Sequence, residues 1–297
     1  MFAQLAAIIA PVLLCAAIGF GWARLGRPFD STFATSLATL VGTPALIGST
    51  LTRYRLDPAS LAEIGLAALA AFACFMAIAA AVLKLLRLPL PVYLPSLVFP
   101  NAGNMGLPLC LFAFGDAGLA LAIVYFAIFS VLNFTVGVAI TSGSLAPGRL
   151  LRLPLIYVVA AAIGIDLLGI ELPAWFANTL QLLAGLTIPL MLLALGVSLA
   201  RLKLGNVWRS LGLAVLRLAL GIGVGLGLGL ALGLSDRARG VLLIQSAMPV
   251  AVFNYLFAAV YGRAPGEVAG LVLLSTLLSF LSLPLLLLLA LHGWPGL

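Results

Sequence analysis

Two short polar segments interrupt otherwise apolar stretches of the sequence, and they carry the side chains best suited to hold a ligand. Residues 99–109 read FPNAGNMGLPL, and residues 245–254 read QSAMPVAVFN. Proline removes a backbone donor and glycine weakens a helix, so each segment predicts a break between two half-helices. The first amides of a half-helix are free and positive, which favours an anion. The residues expected at such an anion are Asn101, Gly103, Asn104, Gly106, Pro249 and Asn254.

The amides in these segments also have a purely structural explanation. Non-helical backbone is tolerated at mid-membrane depth only where it is buried in protein or lines an aqueous cavity, and buried amides need partners there. Asn104 and Asn254 are therefore expected either to contact a ligand or ion or to cap the broken helix ends. The same two alternatives hold for Asn101 and Gln245.

Two further polar pairs lie in later apolar runs. Ser130 and Asn133 are three residues apart and share a helix face, and Ser279 and Ser282 repeat that spacing. Such residues either line a cavity or form hydrogen bonds with neighbouring helices, which is their common role in membranes. Ser130 and Asn133 are included among the candidate substrate-binding residues.

Four residues are candidates for binding an ion whose movement could be coupled to that of a substrate. Arg217 lies about two turns into an apolar run, where a cation could either answer a carboxylate substrate or snorkel to the membrane surface. Asp166 could carry a coupling proton or could be a solvated carboxylate at a helix end. Gln245 and Ser246 in the second polar segment complete the set.

Residues for enzymatic or metal chemistry are missing from the sequence. The single histidine is His292 near the C-terminus, and neither an HExxH motif nor paired mid-membrane aspartates occur. Cys15, Cys74 and Cys110 stand inside apolar runs without metal-ligand spacing, so we expect small buried side chains. No Walker motif is present, which excludes direct use of ATP. We expect no enzyme activity, no metal and no cofactor.

The elements that position these residues follow from composition. The chain has 297 residues, of which 64% are hydrophobic and 8% charged, so lipid must cover most of its surface. Each apolar run is close to the ~20 residues that a helix needs to cross ~30 Å of hydrocarbon. The sequence predicts an all-α membrane protein with ten spans. They are residues 4–23, 33–52, 62–83, 92–114, 118–140, 154–170, 174–199, 207–233, 238–261 and 267–291.

The net charge of +7 is distributed unevenly among the connections between spans. The odd-numbered connections hold ten Lys and Arg residues, and the even-numbered ones hold four. This is the positive-inside bias, which places the odd connections in the cytoplasm and both termini outside. The basic charge therefore sets membrane topology and does not indicate a nucleic-acid partner.

The two halves of the chain resemble each other. Residues 16–19 and Pro28 recur as residues 161–164 and Pro173, displaced by 145 positions, and Pro100 and Pro249 differ by 149. The pattern predicts a first repeat at 1–141, a short cytoplasmic linker at 142–152 and a second repeat at 153–297. Because each repeat has five spans, the second must be inverted, an architecture typical of secondary transporters with alternating access.

The motif Asn-x-Gly-Asn-x-Gly-Leu-Pro-Leu at 101–109, with Met-Pro-x-Ala at 248–251, resembles the auxin efflux carrier family, in its bacterial permease branch. The resemblance covers the whole chain. It implies that spans four and nine cross at Pro100 or Pro108 and at Pro249. It also implies a scaffold and homodimer surface from spans one, two, six and seven, with a moving transport unit from the rest. Family substrates are carboxylates such as auxin, malonate and other dicarboxylates.

The leading hypothesis is therefore a secondary transporter that exports small organic anions across a bacterial inner membrane. Energy would come from the substrate gradient, the membrane potential, or a coupled proton or sodium ion. An anion channel and a sodium-coupled organic-acid symporter of the same fold are the alternatives. Neither a ring of charges nor a carbonyl filter is visible in the sequence to favour the channel.

Overall fold

The computed structural model describes residues 2–53, 58–144, 154–168, 170–202 and 205–291. All regular structure in these ranges is helical, and no β-strand forms there. Three segments of the helices have π-helical hydrogen bonding. The elements are α1 (Phe2–Arg24), α2 (Ser31–Leu37), π1 (Ala38–Gly42), α3 (Thr43–Arg53), α4 (Pro58–Leu85), α5 (Leu90–Val98), π2 (Ala102–Gly106), α6 (Leu107–Leu132), π3 (Asn133–Gly137), α7 (Val138–Ser142), α8 (Pro154–Leu167), α9 (Ala174–Arg201), α10 (Val207–Ala231), α11 (Asp236–Ala247), α12 (Val252–Val260) and α13 (Pro265–Leu291).

Seven of the described helical stretches are long and apolar enough to cross a membrane, which confirms the predicted all-α membrane class. The count of ten spans stays a prediction. The predicted fourth and fifth spans share one helical stretch, Ala102–Ser142, and the predicted sixth and ninth are represented by shorter helices. The seven stretches are Ala3–Arg24, Ser31–Leu51, Ala59–Leu85, Ala102–Ser142, Ala174–Arg201, Val207–Ala231 and Pro265–Leu291.

The long stretch Ala102–Ser142 is not a single straight helix. Gly115 interrupts α6 with φ 66° and ψ −161°, a conformation that only glycine adopts readily. This point lies between the predicted fourth and fifth apolar runs. The chain therefore changes direction where the sequence predicts a connection, although hydrogen bonding continues on both sides.

The helices pack as two groups. The first helix group contains α1, α2, π1, α3, α8 and α9, and the most extensive pairing in it is that of α1 with α9. The second helix group contains α4 to α7 with π2 and π3, and α10 to α13, in which α10 packs on α11 and α13. Contacts between the groups are sparser and involve mainly α6, α13 and π2. The helices within each group are thus packed more extensively than the two groups are packed against each other.

Glycines set the closest helix contacts inside each group. A Cβ added to Gly19 of α1 or to Gly196 of α9 would overlap the backbone of the opposing helix. Gly221 and Gly225 of α10 lie equally close to α11, whereas a Cβ on Gly223 would meet no atom within 4 Å. The glycine-rich sequence of α10 therefore has one packed face and one open face, in keeping with the close approach that small residues permit in membranes.

Hydrogen bonds tie odd-numbered connections to one another. Arg201, at the end of α9, donates from Nη1 to Ser31 Oγ at 3.0 Å and from Nη2 to the Phe29 carbonyl at 3.0 Å. Arg263 donates from Nε to the Thr141 carbonyl at 2.9 Å. The first connection therefore meets the seventh, and the fifth meets the ninth.

Glu267 links further odd connections. Its Oε1 accepts the backbone N–H of Asn206 at 3.3 Å, and its Oε2 accepts the hydroxyl of Tyr93 at 3.1 Å. Arg209 donates to the same Tyr93 hydroxyl at 3.3 Å. The starts of α5, α10 and α13 thus lie at one end of the molecule. The predicted odd connections share one face, and which side of the membrane that face occupies stays a prediction.

Candidate functional site

The two polar segments of the sequence lie side by side. Helix α5 ends at Val98 and α11 ends at Ala247, and each is followed by extended backbone. The Asn101 N–H donates to the Pro249 carbonyl at 2.7 Å, and the Ala251 N–H donates to the Phe99 carbonyl at 3.2 Å. These bonds form an antiparallel bridge between Pro100 and Val250. The interpretation of the two segments as broken spans of an inverted repeat stays a prediction.

Helical structure resumes after the first interruption with a set of free donors. The Asn101 carbonyl accepts the N–H groups of Met105 and Gly106, which starts π2. The N–H groups of residues 102–104 have no partner among the described residues, as expected for the first turn of a helix. The positive end of a long helical stretch therefore faces the interruption.

A cavity of about 310 Å³ opens beside this helix start, between the two helix groups. Every π-helical segment of the described chain contributes to its wall, and such segments are frequent at functional sites. None of the lining residues is charged. They are Thr35, Ala38, Thr39, Leu40, Thr43, Met191 and Ala194 from the first helix group, and Phe99, Pro100, Asn101, Ala102, Gly103, Asn104, Phe126, Phe129, Ser130, Asn133, Phe134, Ala251 and Phe253 from the second.

Two of the amides that line the cavity have unused hydrogen-bonding atoms. Asn101 Nδ2 and Asn133 Oδ1 are buried without a partner in the described chain. A buried polar atom without a partner is costly, so these atoms are expected to bind something that the protein itself does not supply. Asn104 and Ser130 also line the cavity and are partly exposed. The structure thus brings these four predicted residues together with Gly103 and Pro100.

The threonines of the cavity were missed by the sequence analysis. Thr35, Thr39 and Thr43 line the wall contributed by the first helix group, opposite the asparagines. Their spacing of four residues places them on one face of a continuous helical stretch. That spacing in an apolar run was the signal that could have identified them.

Phenylalanines form much of the remaining wall. Phe134 packs edge-on against Phe253 at 5.3 Å between ring centroids, and Phe129 packs against Phe99 at 6.4 Å. Gly103 leaves room for the Phe126 ring, since a Cβ there would lie 2.8 Å from a ring carbon. The cavity therefore combines a polar edge at the start of π2 with an aromatic body.

Asn254 does not line this cavity. Its Nδ2 donates to the Pro95 carbonyl at 3.2 Å and to the Phe99 carbonyl at 3.3 Å. It therefore satisfies carbonyl groups at the end of α5, which is the capping alternative raised by the sequence. Its Oδ1 is buried without a partner.

Gln245 also lies outside the cavity wall. Its Nε2 donates to the Ala122 carbonyl at 3.5 Å, and its Oε1 has no described partner. A Cβ on Gly106 would overlap that Oε1, so the absence of a side chain at Gly106 makes room for the glutamine. Pro108 lies in the first turn of α6 and is buried away from the cavity wall.

Arg217 is buried between α10 and α11. It is 1% exposed, so it does not snorkel to the membrane surface. Its Nη2 donates to the Ser246 carbonyl at 2.7 Å, and its Cζ lies 4.9 Å from the centre of the Phe75 ring. Ser246 Oγ in turn lies 3.3 Å from the Tyr125 hydroxyl. Arg217 and Ser246 therefore form one buried polar cluster next to the second interruption.

The remaining candidates lie neither at the cavity nor in the polar cluster of Arg217 and Ser246. Ser279 is buried in α13, and its carbonyl accepts the Ser282 hydroxyl at 3.1 Å, so this pair bonds within its own helix. Asp166 belongs to α8, but its side chain and the whole of His292 lie outside the described residues. In the described part of the chain, no group of three or more His, Cys, Asp or Glu residues could hold a metal ion.

Apolar helices surround an uncharged cavity between the two helix groups, an arrangement that suits a membrane transport protein. The comparisons agree: the profile of a family described as "Membrane transport protein" matches residues 142–287. The chain is 26% identical over 205 residues to an uncharacterized transporter of Methanocaldococcus jannaschii. That match covers 65% of this chain and 64% of the relative's length.

The matched residues include the motif at 248–251 but not the motif at 101–109. Membership of the auxin efflux carrier family stays a prediction, with which these two similarities agree. The long apolar helices of the described residues indicate a multi-pass membrane protein.

Proposed function

We propose that the protein is a secondary transporter that exports small carboxylates by alternating access. The observation that carries this proposal is the cavity between the two helix groups, which Asn101 lines with an unpartnered amide nitrogen. A site at the seam between two packed units can open to either side of the membrane when one unit moves against the other.

The chemistry of the polar edge suits a carboxylate. The free N–H groups of residues 102–104, the amide of Asn101 and the positive end of the helical stretch are all donors or positive dipoles. The threonine hydroxyls on the opposite wall add further donors. Because no cation lines the cavity, the anion is held by neutral groups and can be released again.

The proposed architecture is the ten-span inverted repeat, with residues 1–141 and 153–297 as its halves. The interruptions near Pro100 and Pro249 occupy corresponding places in the two halves and pair in antiparallel orientation, as inversion requires. The kink at Gly115 supplies the boundary between the fourth and fifth spans. Most of the linker at 142–152 lies outside the described residues.

The two helix groups correspond to the parts that alternating access requires. The first helix group is the proposed scaffold, and the second is the proposed transport unit that carries the polar edge of the site. The scaffold is also the proposed homodimer surface, where α9 presents a shallow depression lined by Asn178, Gln181, Leu182, Gly185 and Leu186.

The direction and energy source follow from charge. With odd connections in the cytoplasm of a bacterial inner membrane, an anion that leaves a negative interior gains about 2.3 kcal/mol per elementary charge for each 100 mV. Export therefore needs no coupled ion. The alternative is transport coupled to a proton or a sodium ion. The experiment below imposes proton, sodium and voltage gradients separately and so distinguishes the energy sources.

The test is uptake of labelled mono- and dicarboxylates into proteoliposomes under imposed proton, sodium or voltage gradients. We expect saturable uptake with counterflow for the wild-type protein, driven by voltage. Asn104→Ala is expected to lower uptake at least about tenfold, as loss of hydrogen bonds to a charged ligand does. Thr32→Ala, on an exposed part of α2 away from the cavity, is the control and is expected to transport normally.

Three results would contradict the proposal. Absence of any carboxylate flux in folded protein would remove the organic anion. Non-saturating flux without counterflow would indicate a channel. Equal uptake by wild type and Asn104→Ala would place the site elsewhere.

A further inference from the structure

Arg217 is an unusual residue for the interior of a membrane protein. It stands within α10 and is almost fully buried, and no carboxylate of the described chain pairs with it. Its Nε and Nη1 have no hydrogen-bond partner in the described chain. Ionisable groups in membrane spans are costly and mark functional positions.

The direct partner of Arg217 is the end of an interrupted helix. The Ser246 carbonyl, which accepts Nη2, belongs to the last turn of α11, where the helix dipole is negative. Gly221 makes this approach feasible, because any side chain there would overlap the same carbonyl. Helix C-termini and unwound carbonyls near the midplane are where carriers hold coupling cations. In this protein a guanidinium takes that place.

Two aromatic rings, those of Phe75 and Phe129, separate Arg217 from the cavity. Its Cζ is 4.9 Å from the Phe75 ring, which packs against Phe129 at 6.2 Å, and Phe129 lines the cavity. Tyr125 stacks on Phe129 at 4.4 Å and reaches Ser246. Apolar rings screen a charge poorly. A unit charge roughly 10 Å from an anion at an effective dielectric of about 20 strengthens binding about tenfold.

We propose that Arg217 is a fixed positive charge of the transport unit, which neutralises a bound monoanion during translocation. All the helices that surround Arg217, namely α4, α6, α10 and α11, belong to the second helix group, so its charge moves with the substrate. The loaded unit then crosses the membrane field without net charge, and the empty unit crosses it with one positive charge. This inference rests on the proposed transport cycle.

The test is a measurement of displacement current during voltage steps on membranes that contain the purified protein and no carboxylate. The wild type is expected to show a transient charge movement, since the empty unit carries the guanidinium across the field. Arg217→Lys keeps the charge and is expected to keep the current. Arg217→Met, of similar length and neutral, is expected to reduce the displaced charge at least about fivefold.

Controls separate this role from a structural one. Arg239→Gln removes a partly exposed cation of the same helix group that pairs with Asp236, and its current is expected to match the wild type. Folding of each variant is checked by its melting temperature in detergent. An unchanged current in folded Arg217→Met, or no current in either the wild type or Arg217→Lys, would overturn the inference.

A second arm uses any carboxylate that the wild-type protein transports. A saturating concentration of this carboxylate is expected to suppress the displacement current of the wild type. Arg217→Met is expected to bind the carboxylate about tenfold more weakly than the wild type does. Persistence of the full current at saturation would overturn the inference. A clear current in protein that moves no carboxylate would instead reject the proposed substrate and retain the fixed charge.

Discussion

The two interruptions, after Val98 and after Ala247, are built differently. After Val98 the chain leaves free amide groups, unpartnered amide side-chain atoms and an open cavity. Around Ala247 the backbone groups are bonded within the protein: the Ser246 carbonyl accepts Arg217, and the Val250 N–H donates to Ser275 Oγ at 3.1 Å. From this segment only Ala251 and Phe253, both apolar, line the cavity. The first interruption therefore has the properties of a ligand site, and the second has those of a fixed structural and electrostatic element. Two segments that resemble each other in sequence therefore do not need to have the same function.

The largest effect is expected from breaking the packing around the second interruption. Gly221→Leu forces a side chain into the α11 backbone, and overpacking against backbone costs about 3 kcal/mol or more. Gly223→Leu, on the open face of the same helix, is the matched control. Its free energy of unfolding should lie within about 0.5 kcal/mol of the wild-type value. Melting temperatures in detergent measure both. Equal destabilisation would show that α10 does not approach α11 closely.

The contrast between Asn101 and Asn254 gives the next largest effect. Asn254→Ala removes two buried hydrogen bonds, to the Pro95 and Phe99 carbonyls, so we expect a loss of about 1–3 kcal/mol in the free energy of unfolding. Asn101→Ala removes an unpartnered nitrogen, so stability should hold while carboxylate uptake falls about tenfold. Melting and uptake are measured on the same preparations. A stable Asn254→Ala together with an unstable Asn101→Ala would reverse the assignment.

A smaller effect is expected from Ser275→Ala at the second interruption. The Val250 N–H loses its acceptor in a buried place, which should cost about 1 kcal/mol of stability. Carboxylate affinity should remain within about twofold of the wild type, because Ser275 does not line the cavity. A loss of affinity larger than the loss of stability would extend the binding site to the second interruption.

The smallest effect is expected from Thr39→Val, which removes one hydroxyl from the cavity wall and keeps its shape. Loss of one neutral hydrogen bond should raise the carboxylate concentration for half-maximal uptake about threefold to tenfold. Thr32→Val, on an exposed part of α2, is the matched control and should not change it. If the two variants behave alike, the first helix group does not contact the substrate.

Much of the molecule follows from local features of the sequence. Apolar runs predict the membrane helices, and the prolines and glycines at 99–109 and 245–254 mark where α5 and α11 end, because these residues act on their own backbone. The family resemblance is carried by the same motifs. The number of spans is less certain from sequence, since Gly115 turns the chain without ending the helical hydrogen bonding around it.

The composition of the cavity could be predicted only in part. Asn101, Asn104, Ser130 and Asn133 were identified, but the structure assigns Asn254 to carbonyls of α5 and encloses Gln245 against Gly106. Which partner a buried amide finds depends on a helix far away in sequence, so spacing alone cannot decide it. Thr35, Thr39 and Thr43 were missed for a related reason. They belong to the first helix group, and only the packing of the two groups places them in the same cavity as the asparagines.

The most direct test of the account is equilibrium binding of a labelled, transported carboxylate to purified protein, compared among the wild type, Asn101→Ala and Ser275→Ala. If the anion binds at the first interruption, Asn101→Ala should bind at least about tenfold more weakly, and Ser275→Ala should bind like the wild type. Wild-type affinity in Asn101→Ala, or an equal loss in both variants, would contradict the assignment of the site.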